Sequence, residues 1–308
     1  MKPVRIAVLP VAGFGTRVLP ATKTIPKEML PIVDRPALQY VVDEAIEAGI
    51  DHFVFVTGRG KSAIEDYFDT AFELEDALQR KGKISTYENL KTKQPVEGSM
   101  SFVRQQSAKG LGHAVWCARH IVGDEPFAVL LPDVLIQSQK GCLAQMMDAY
   151  KKVGGNIIAV DAVAEESVSN YGVIKPKDNV AIKNEVLVQL DGMVEKPAVS
   201  EAPSNLKITG RYILQPELMR VLKDQKVGSG GEIQLTDAML RLMGKQDFHA
   251  FIYEGQDYDC GSKIGYLEAV IAYAVSHPEI GDRAQKMVRK MALPNETQQA
   301  IAFNGSRC

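Results

Sequence analysis

The first apolar run of the chain, Arg5 to Val11 with Ile6, Val8, Leu9 and Val11, passes without a break into a loop containing Gly13, Gly15 and Thr16. A run this short reads as a buried strand, and the glycine loop behind it limits what the strand can lead to. Glycine lets the backbone curl until successive N–H groups point inward, with no Cβ to block an approaching anion. Arg17 adds a planar fork of donors and Lys27 a point charge on the same stretch. The sequence therefore predicts a strand that opens onto a phosphate site.

Two familiar phosphate motifs do not fit. A dinucleotide fingerprint needs a third glycine where Val18 stands, and an acidic residue at the end of the second strand, where Thr57-Gly58 stand. Gly60-Lys61-Ser62 looks like the end of a P-loop, but the first glycine of that motif would occupy Phe55. Ser62 and Glu65 instead have the spacing of a capping box that opens a helix. An oxidoreductase using NAD is disfavoured by the same two departures.

With 36 basic and 38 acidic residues among 308, the net charge is −2, which gives no general attraction to nucleic acid or to a membrane. Cys117, Cys142, Cys260 and Cys308 form no CxxC pair, so neither zinc nor a disulfide framework is expected. The N-terminus enters a strand directly, and no stretch reaches the ~18 apolar residues of a membrane helix, which points to a cytoplasmic chain.

The order of elements favours helices on both faces of a sheet. Leu38, Val41, Val42, Ala45 and Ile46 repeat at helical spacing after Pro36 and stop at Gly49; a strand follows over 53–56, and the helix opened by Ser62 carries Ile64, Tyr67, Phe68 and Ala71 and continues, polar and charged, toward Gln79. This β-α-β-α order predicts a mainly parallel sheet. Residues 81–98 are polar and weakly periodic and read as a surface excursion or lid. Strands are expected over 101–105, 127–131, 156–162, 207–214 and 248–253, and helices over 111–121, 142–152, 216–222, 232–243 and 264–275. Short alternating segments at 172–175, 180–182 and 186–194 read as added antiparallel strands. The 258–261 segment reads as a turn, and the end of the chain as a short helix followed by polar residues.

Several segments, in order, resemble the nucleotidyltransferases that make sugar nucleotides. They are Pro10 to Arg17, Leu19 to Lys23, Pro26-Lys27-Glu28-Met29-Leu30-Pro31, Gly110 to Ala114, Leu131-Pro132-Asp133-Val134, Val194-Glu195-Lys196-Pro197, Gly231 to Ala238, and Tyr258-Asp259-Cys260-Gly261. The resemblance implies a three-layer α/β/α sandwich, a Rossmann-like, GT-A-like fold with a mixed, mainly parallel sheet. It implies a catalytic domain over 1–276 and a tail, 277–308, that is helical or involved in oligomer contacts, in a homo-oligomer (dimer or tetramer). The 20–30 loop resembles the uridylyl branch, so the implied reaction transfers a uridylyl group from UTP to glucose 1-phosphate. A dTTP-dependent thymidylyltransferase and a non-catalytic regulatory binder of sugar nucleotides are the alternatives.

The resemblance also assigns roles. Ala12, Gly13, Gly15 and Thr16 hold the nucleotide's phosphates, with Gln106 and Gly112 around the base. Arg17 and Lys27 are catalytic cations at the reacting phosphates. Asp133 and Asp259 hold Mg²⁺, which a triphosphate substrate requires. Gly172, Glu195 and Lys196 receive the sugar phosphate, the carboxylate facing hydroxyls and the lysine the phosphate. From position alone, Asp133 also suits a helix cap and Asp259 a turn, while Glu195-Lys196 also suits a surface turn. His113 and His120, seven apart on one expected helix, lack metal-pair spacing and read as packing or surface residues; Trp116 reads as core. Gln234 and Asp237 stay outside the assigned set.

Overall fold

The computed structural model describes residues 1–92, 94–177 and 186–292. Nine strands form one sheet: β1 (Ile6–Pro10), β2 (His52–Thr57), β3 (Met100–Arg104), β4 (Phe127–Leu130), β5 (Asn156–Ala162), β6 (Gly172–Pro176), β7 (Leu187–Glu195), β8 (Leu206–Leu214) and β9 (Phe248–Ile252). Their spatial order is β3-β2-β1-β4-β8-β5-β9-β7-β6. β1 to β4 pair in parallel, as do β5 and β9, while β7 and β8 run against their neighbours. The sheet is thus mixed and mainly parallel, as expected.

Alternation along the strands builds the two outer layers. Ala7 and Leu9 of β1, Phe53 and Phe55 of β2, and Ala128 and Leu130 of β4 face one core with Leu38, Val41, Leu143 and Met146. Val8, Val54, Val56, Phe127 and Val129 face the other with Val115, Leu218, Leu222, Met239 and Leu242. Strands buried on both faces must be apolar at nearly every position, which is why they read as continuous runs. Helices Ala37–Glu47 and Cys142–Val153 cover one face, and Leu111–Cys117, Glu217–Lys223 and Leu235–Met243 the other.

Several expectations need correction. The 111–121 helix is interrupted at Ala118 and continues as Arg119–Val122, and the helix expected from 232 begins at Leu235. The 81–98 excursion contains a helix, Ile84–Lys91, which buries no residue and so has no apolar period to reveal it; Lys91 bonds Glu75 at 2.9 Å. Ser62 and Glu65 form no capping box: Ser62–Phe68 starts without a side-chain cap, and Lys61 turns inward to Glu28; the helix also stops at Phe68, because Asp69 is extended, and a separate helix, Phe72–Arg80, follows, leaving Ala71 outside both. The expected turn at 258–261 is partly a strand, Gln256–Asp259, pairing antiparallel with Val134–Gln137. The 180–182 strand, Cys308 and residues 293–308 lie outside the described residues.

Among the described residues no helix is long and apolar enough to cross a membrane. Cys117, Cys142 and Cys260 are all unpaired, and burial pushes the Cys260 thiol up to about 12. The last described helix, Gly281–Met291, buries Gly281 and Ala284, and its Gln285 Nε2 donates to Val275 O of the preceding helix at 3.2 Å.

Candidate active site

The glycine loop leaves β1 at the carboxyl edge of the sheet, where parallel strands place their ligands. Gly15 has φ of +68°, and a Cβ there would meet Thr22 and Lys27 at 3.2 Å. The Thr22 hydroxyl donates to Gly15 O at 2.7 Å and fixes the curl. A short turn, Thr16–Val18, then projects Arg17, and a second, Lys27–Met29, brings Lys27 back beneath the loop. Burial of Lys27 follows from this double pass.

Asp133 stands just beyond β4. The ribbon formed by Val134–Gln137 and Gln256–Asp259 sets Asp259 opposite Val134, and Cys260 N donates to Asp133 O at 2.8 Å. Two aspartates far apart in the chain thereby become neighbours. Lys27 Nζ donates to Asp133 Oδ2, while Arg17 lies 3.8 Å from Asp133 and 3.4 Å from Asp259. Burial alone would lower the Lys27 pKa, but attraction to Asp133 and Glu28 outweighs it and holds the ammonium above its usual value. Burial would likewise raise the Asp133 carboxyl; Lys27, bonded to it, holds it below its usual value. Both shifts favour the charged pair.

Gly261 makes the convergence possible. A Cβ there would lie 2.8 Å from Asp259 Oδ1 and 2.9 Å from Asp133 Oδ2, and would also collide with the Arg17 guanidinium. Two converging carboxylates are a suitable partial donor set for a hard divalent cation, whose other positions phosphate oxygens and water can fill.

A second group of candidate residues stands on β6 and β7, whose register places Gly172 opposite Glu195. Glu195 Oε2 accepts from the Thr236 hydroxyl at 2.7 Å, and a Cβ on Gly172 would crowd it at 3.1 Å. Lys196 takes a positive φ of 48° and donates its N–H to Tyr171 O at 3.0 Å. Beside them, Lys207 pairs with Asp257 at 2.7 Å and lies over the Tyr171 ring at 5.2 Å.

Thr16, Arg17, Asp133, Asp259, Gly172, Glu195 and Lys196 all line one cleft of about 570 Å³. Lys27 lies against it through Asp133. Ala12, Gly13 and Gly15 stand in the loop behind Thr16, outside the lining. Gln106 is exposed, whereas its neighbour Gln105 turns inward to His113 at 3.0 Å and Gly110 O at 3.1 Å. Gly112 donates to Ile233 O at 2.8 Å, and a Cβ on it would fall 2.8 Å from that oxygen. His113 is buried and stacks near Trp116, which carries Arg119 over its ring at 3.6 Å; none of these lines the cleft.

Sequence reasoning missed Lys207, Asp257 and Thr236 as cleft residues, and it left Gln234 aside although Gln234 lines the cleft. Thr236 sits inside a quoted motif, so a signal existed; Lys207 and Asp257 carried none.

With this geometry in place, comparison with known proteins is decisive. The model of the family described as "Nucleotidyl transferase" matches residues 6–276. The chain belongs to the nucleotidyl transferase family. Among relatives of this nucleotidyl transferase, the UTP--glucose-1-phosphate uridylyltransferase of Bacillus subtilis (strain 168) is 48% identical over 283 residues, 92% of this chain and 95% of the relative. The structure of a UTP-bound UGPase from Acinetobacter baumannii superposes with a TM-score of 0.86 at 43% identity, covering 94% of this chain and all of the other. A UDP-glucose pyrophosphorylase complexed with UDP-glucose superposes at 0.77 with 44% identity, covering 88% and 98%.

Proposed function

We propose that this nucleotidyl transferase joins UTP and glucose 1-phosphate to give UDP-glucose and pyrophosphate. The observation that carries the reading is that the cation Arg17 and the carboxylates Asp133, paired with Lys27 behind it, and Asp259 open onto the same cleft as Gly172, Glu195 and Lys196. The relatives above, named for this activity or holding UTP or UDP-glucose, support the substrates.

A phosphate oxygen of glucose 1-phosphate attacks the α-phosphorus of UTP, the bond from that phosphorus to the bridging oxygen of the β-phosphate breaks, and pyrophosphate leaves with the electron pair. Both reactants are anions, so repulsion and alignment dominate the barrier. In this reading the backbone of Ala12 to Thr16 holds the triphosphate, and Arg17 neutralises the charge gathering on pyrophosphate. Lys27, charged and shielded from solvent, stabilises the phosphoryl group in transit. Glu195, oriented by Thr236, accepts hydrogen bonds from sugar hydroxyls, and Lys196 pairs with the sugar phosphate. Gln106 and Gly112 border the base. Asp133 and Asp259 would hold Mg²⁺, which supplies charge neutralisation across the phosphates.

We read residues 1–276 as the catalytic unit, 277–308 as a segment used between copies in a dimer or tetramer, and the cytoplasm as the site of action. The deciding experiment follows pyrophosphate release on mixing the protein with glucose 1-phosphate and either UTP or dTTP, with and without Mg²⁺. Mg²⁺-dependent release with UTP and far less with dTTP is expected. Preference for dTTP would reassign the base, and nucleotide binding without release would make the protein a regulatory binder.

A further inference from the structure

Among the described residues the bulkiest side chain wholly shut off from solvent is a charged one, Arg211, in β8. It shares a sheet face with Ile213, toward helices Ala37–Glu47 and Cys142–Val153. Its Nε and Nη2 donate to Glu44 at 2.9 to 3.2 Å. The remaining donors go elsewhere: Nη1 reaches Leu131 O at 3.1 Å and Nη2 reaches Val134 O at 2.8 Å. Those two carbonyls bracket Asp133.

A buried ion pair is weak as a source of stability, because desolvation cancels most of the attraction. What it can supply is geometry. The guanidinium is a rigid planar fork, and here one edge is fixed by a carboxylate while the other holds two carbonyls three residues apart. Glu44 is itself fixed: its Oε1 also accepts from Leu143 N at 3.0 Å, in the first turn of helix Cys142–Val153. The surrounding backbone completes the lock. β8 shifts register between Ile208 and Tyr212, and within that irregularity Gly210 takes φ of +80°, so that its carbonyl accepts from Leu131 N at 2.9 Å.

We infer that Arg211, anchored by Glu44, is the positioning residue for Asp133: it fixes the 131–134 segment before any ligand arrives, so that the carboxylate meets the reacting phosphates and their cation without a search. Arg211 touches no substrate, since it lies beneath the cleft floor formed by Leu131, Asp133, Val134 and Gly210. The inference rests on the proposed role of Asp133.

The test compares the wild-type full chain with Arg211→Lys, which keeps the charge but has no fork, and with Glu44→Gln, which keeps an acceptor for Leu143 N. In folded variants the half-saturating Mg²⁺ concentration should rise and turnover fall, each by roughly 10–100-fold, as outer-shell changes typically do, while KM for glucose 1-phosphate stays within about threefold. Binding of Mn²⁺, followed by its electron paramagnetic resonance in the presence of a non-reacting UTP analogue, should weaken in parallel. Variants that melt earlier but keep wild-type turnover and Mn²⁺ affinity would make Arg211 merely structural and overturn the inference. Hydrogen exchange on the wild type covers variants that do not fold. The amides of Leu131, Asp133 and Val134 should exchange as slowly without Mg²⁺ and UTP as with them; slowing only on ligand addition would also overturn it. If the wild type itself releases no pyrophosphate, it is the reaction that has been misread, and the exchange and Mn²⁺ results still judge the clamp.

Discussion

Replacement of Lys27 by alanine exposes the proposed chemistry most directly. The Lys27 side chain is 17% exposed and Asp133 16%, while Arg17, the other cation near Asp133, is 63% exposed and 3.8 Å away. Arg17 therefore cannot take over, because an ion pair that open to solvent is worth about 0–1 kcal/mol. An ammonium about 4 Å from a phosphoryl group at an effective dielectric near 20 contributes about 4 kcal/mol. Only the part that grows between ground and transition state accelerates the reaction, so a turnover loss of roughly 10²- to 10³-fold is expected, since about 1.4 kcal/mol corresponds to tenfold. The assay is pyrophosphate release at saturating glucose 1-phosphate across a range of UTP concentrations. KM for UTP should move only a few-fold. Lys27→Met, which retains the apolar stem packed under Gly13 and Gly15, should lose as much turnover as Lys27→Ala. Turnover within about threefold of wild type in either variant, or a loss carried by KM alone, would refute the reasoning.

Two further substitutions probe the ground around this site. Gly261→Ala would drive a methyl group among Asp133, Asp259 and Arg17, so a folded protein with turnover reduced by at least about tenfold is expected, as for other displacements at a reacting centre; a normal rate would show that the carboxylates need not converge. Lys61→Met strips Glu28, whose side chain is fully buried, of its bond at 2.7 Å, and should cost about 3–5 kcal/mol in denaturant unfolding, whereas Lys61→Met combined with Glu28→Met should recover much of it. The same pair fixes a pH dependence. Burial raises the Glu28 pKa, with Lys61 opposing that rise, so the native state binds the extra proton and this carboxyl's contribution to stability falls as pH rises through the interval between its unfolded and folded values. Loss of Lys61 widens the interval, and the stability gap between variant and wild type should be larger at pH 8 than at pH 5.5; a gap independent of pH would count against this account.

Local chemistry decided much that the sequence alone could say. Runs such as Phe53 to Val56 and Phe127 to Leu130 are apolar at every position because both their faces are covered, and the curl of the loop with Gly13, Gly15 and Thr16 was legible because it depends on the residues within it. Arg17, Lys27, Asp133 and Asp259 could be named from motifs that carry their own residues. Tertiary structure alone decided which distant groups meet. The ribbon of 134–137 and 256–259 brings Asp259 to Asp133, Arg211 reaches Glu44 across 167 positions, and Lys61 turns from an expected cap neighbourhood to Glu28. Such pairings have no period in the sequence, because a charge is drawn inward by a partner that only the folded sheet supplies. The helix at 84–91 stayed illegible for a related reason: it buries nothing, so neither core nor partner imposed a pattern on it.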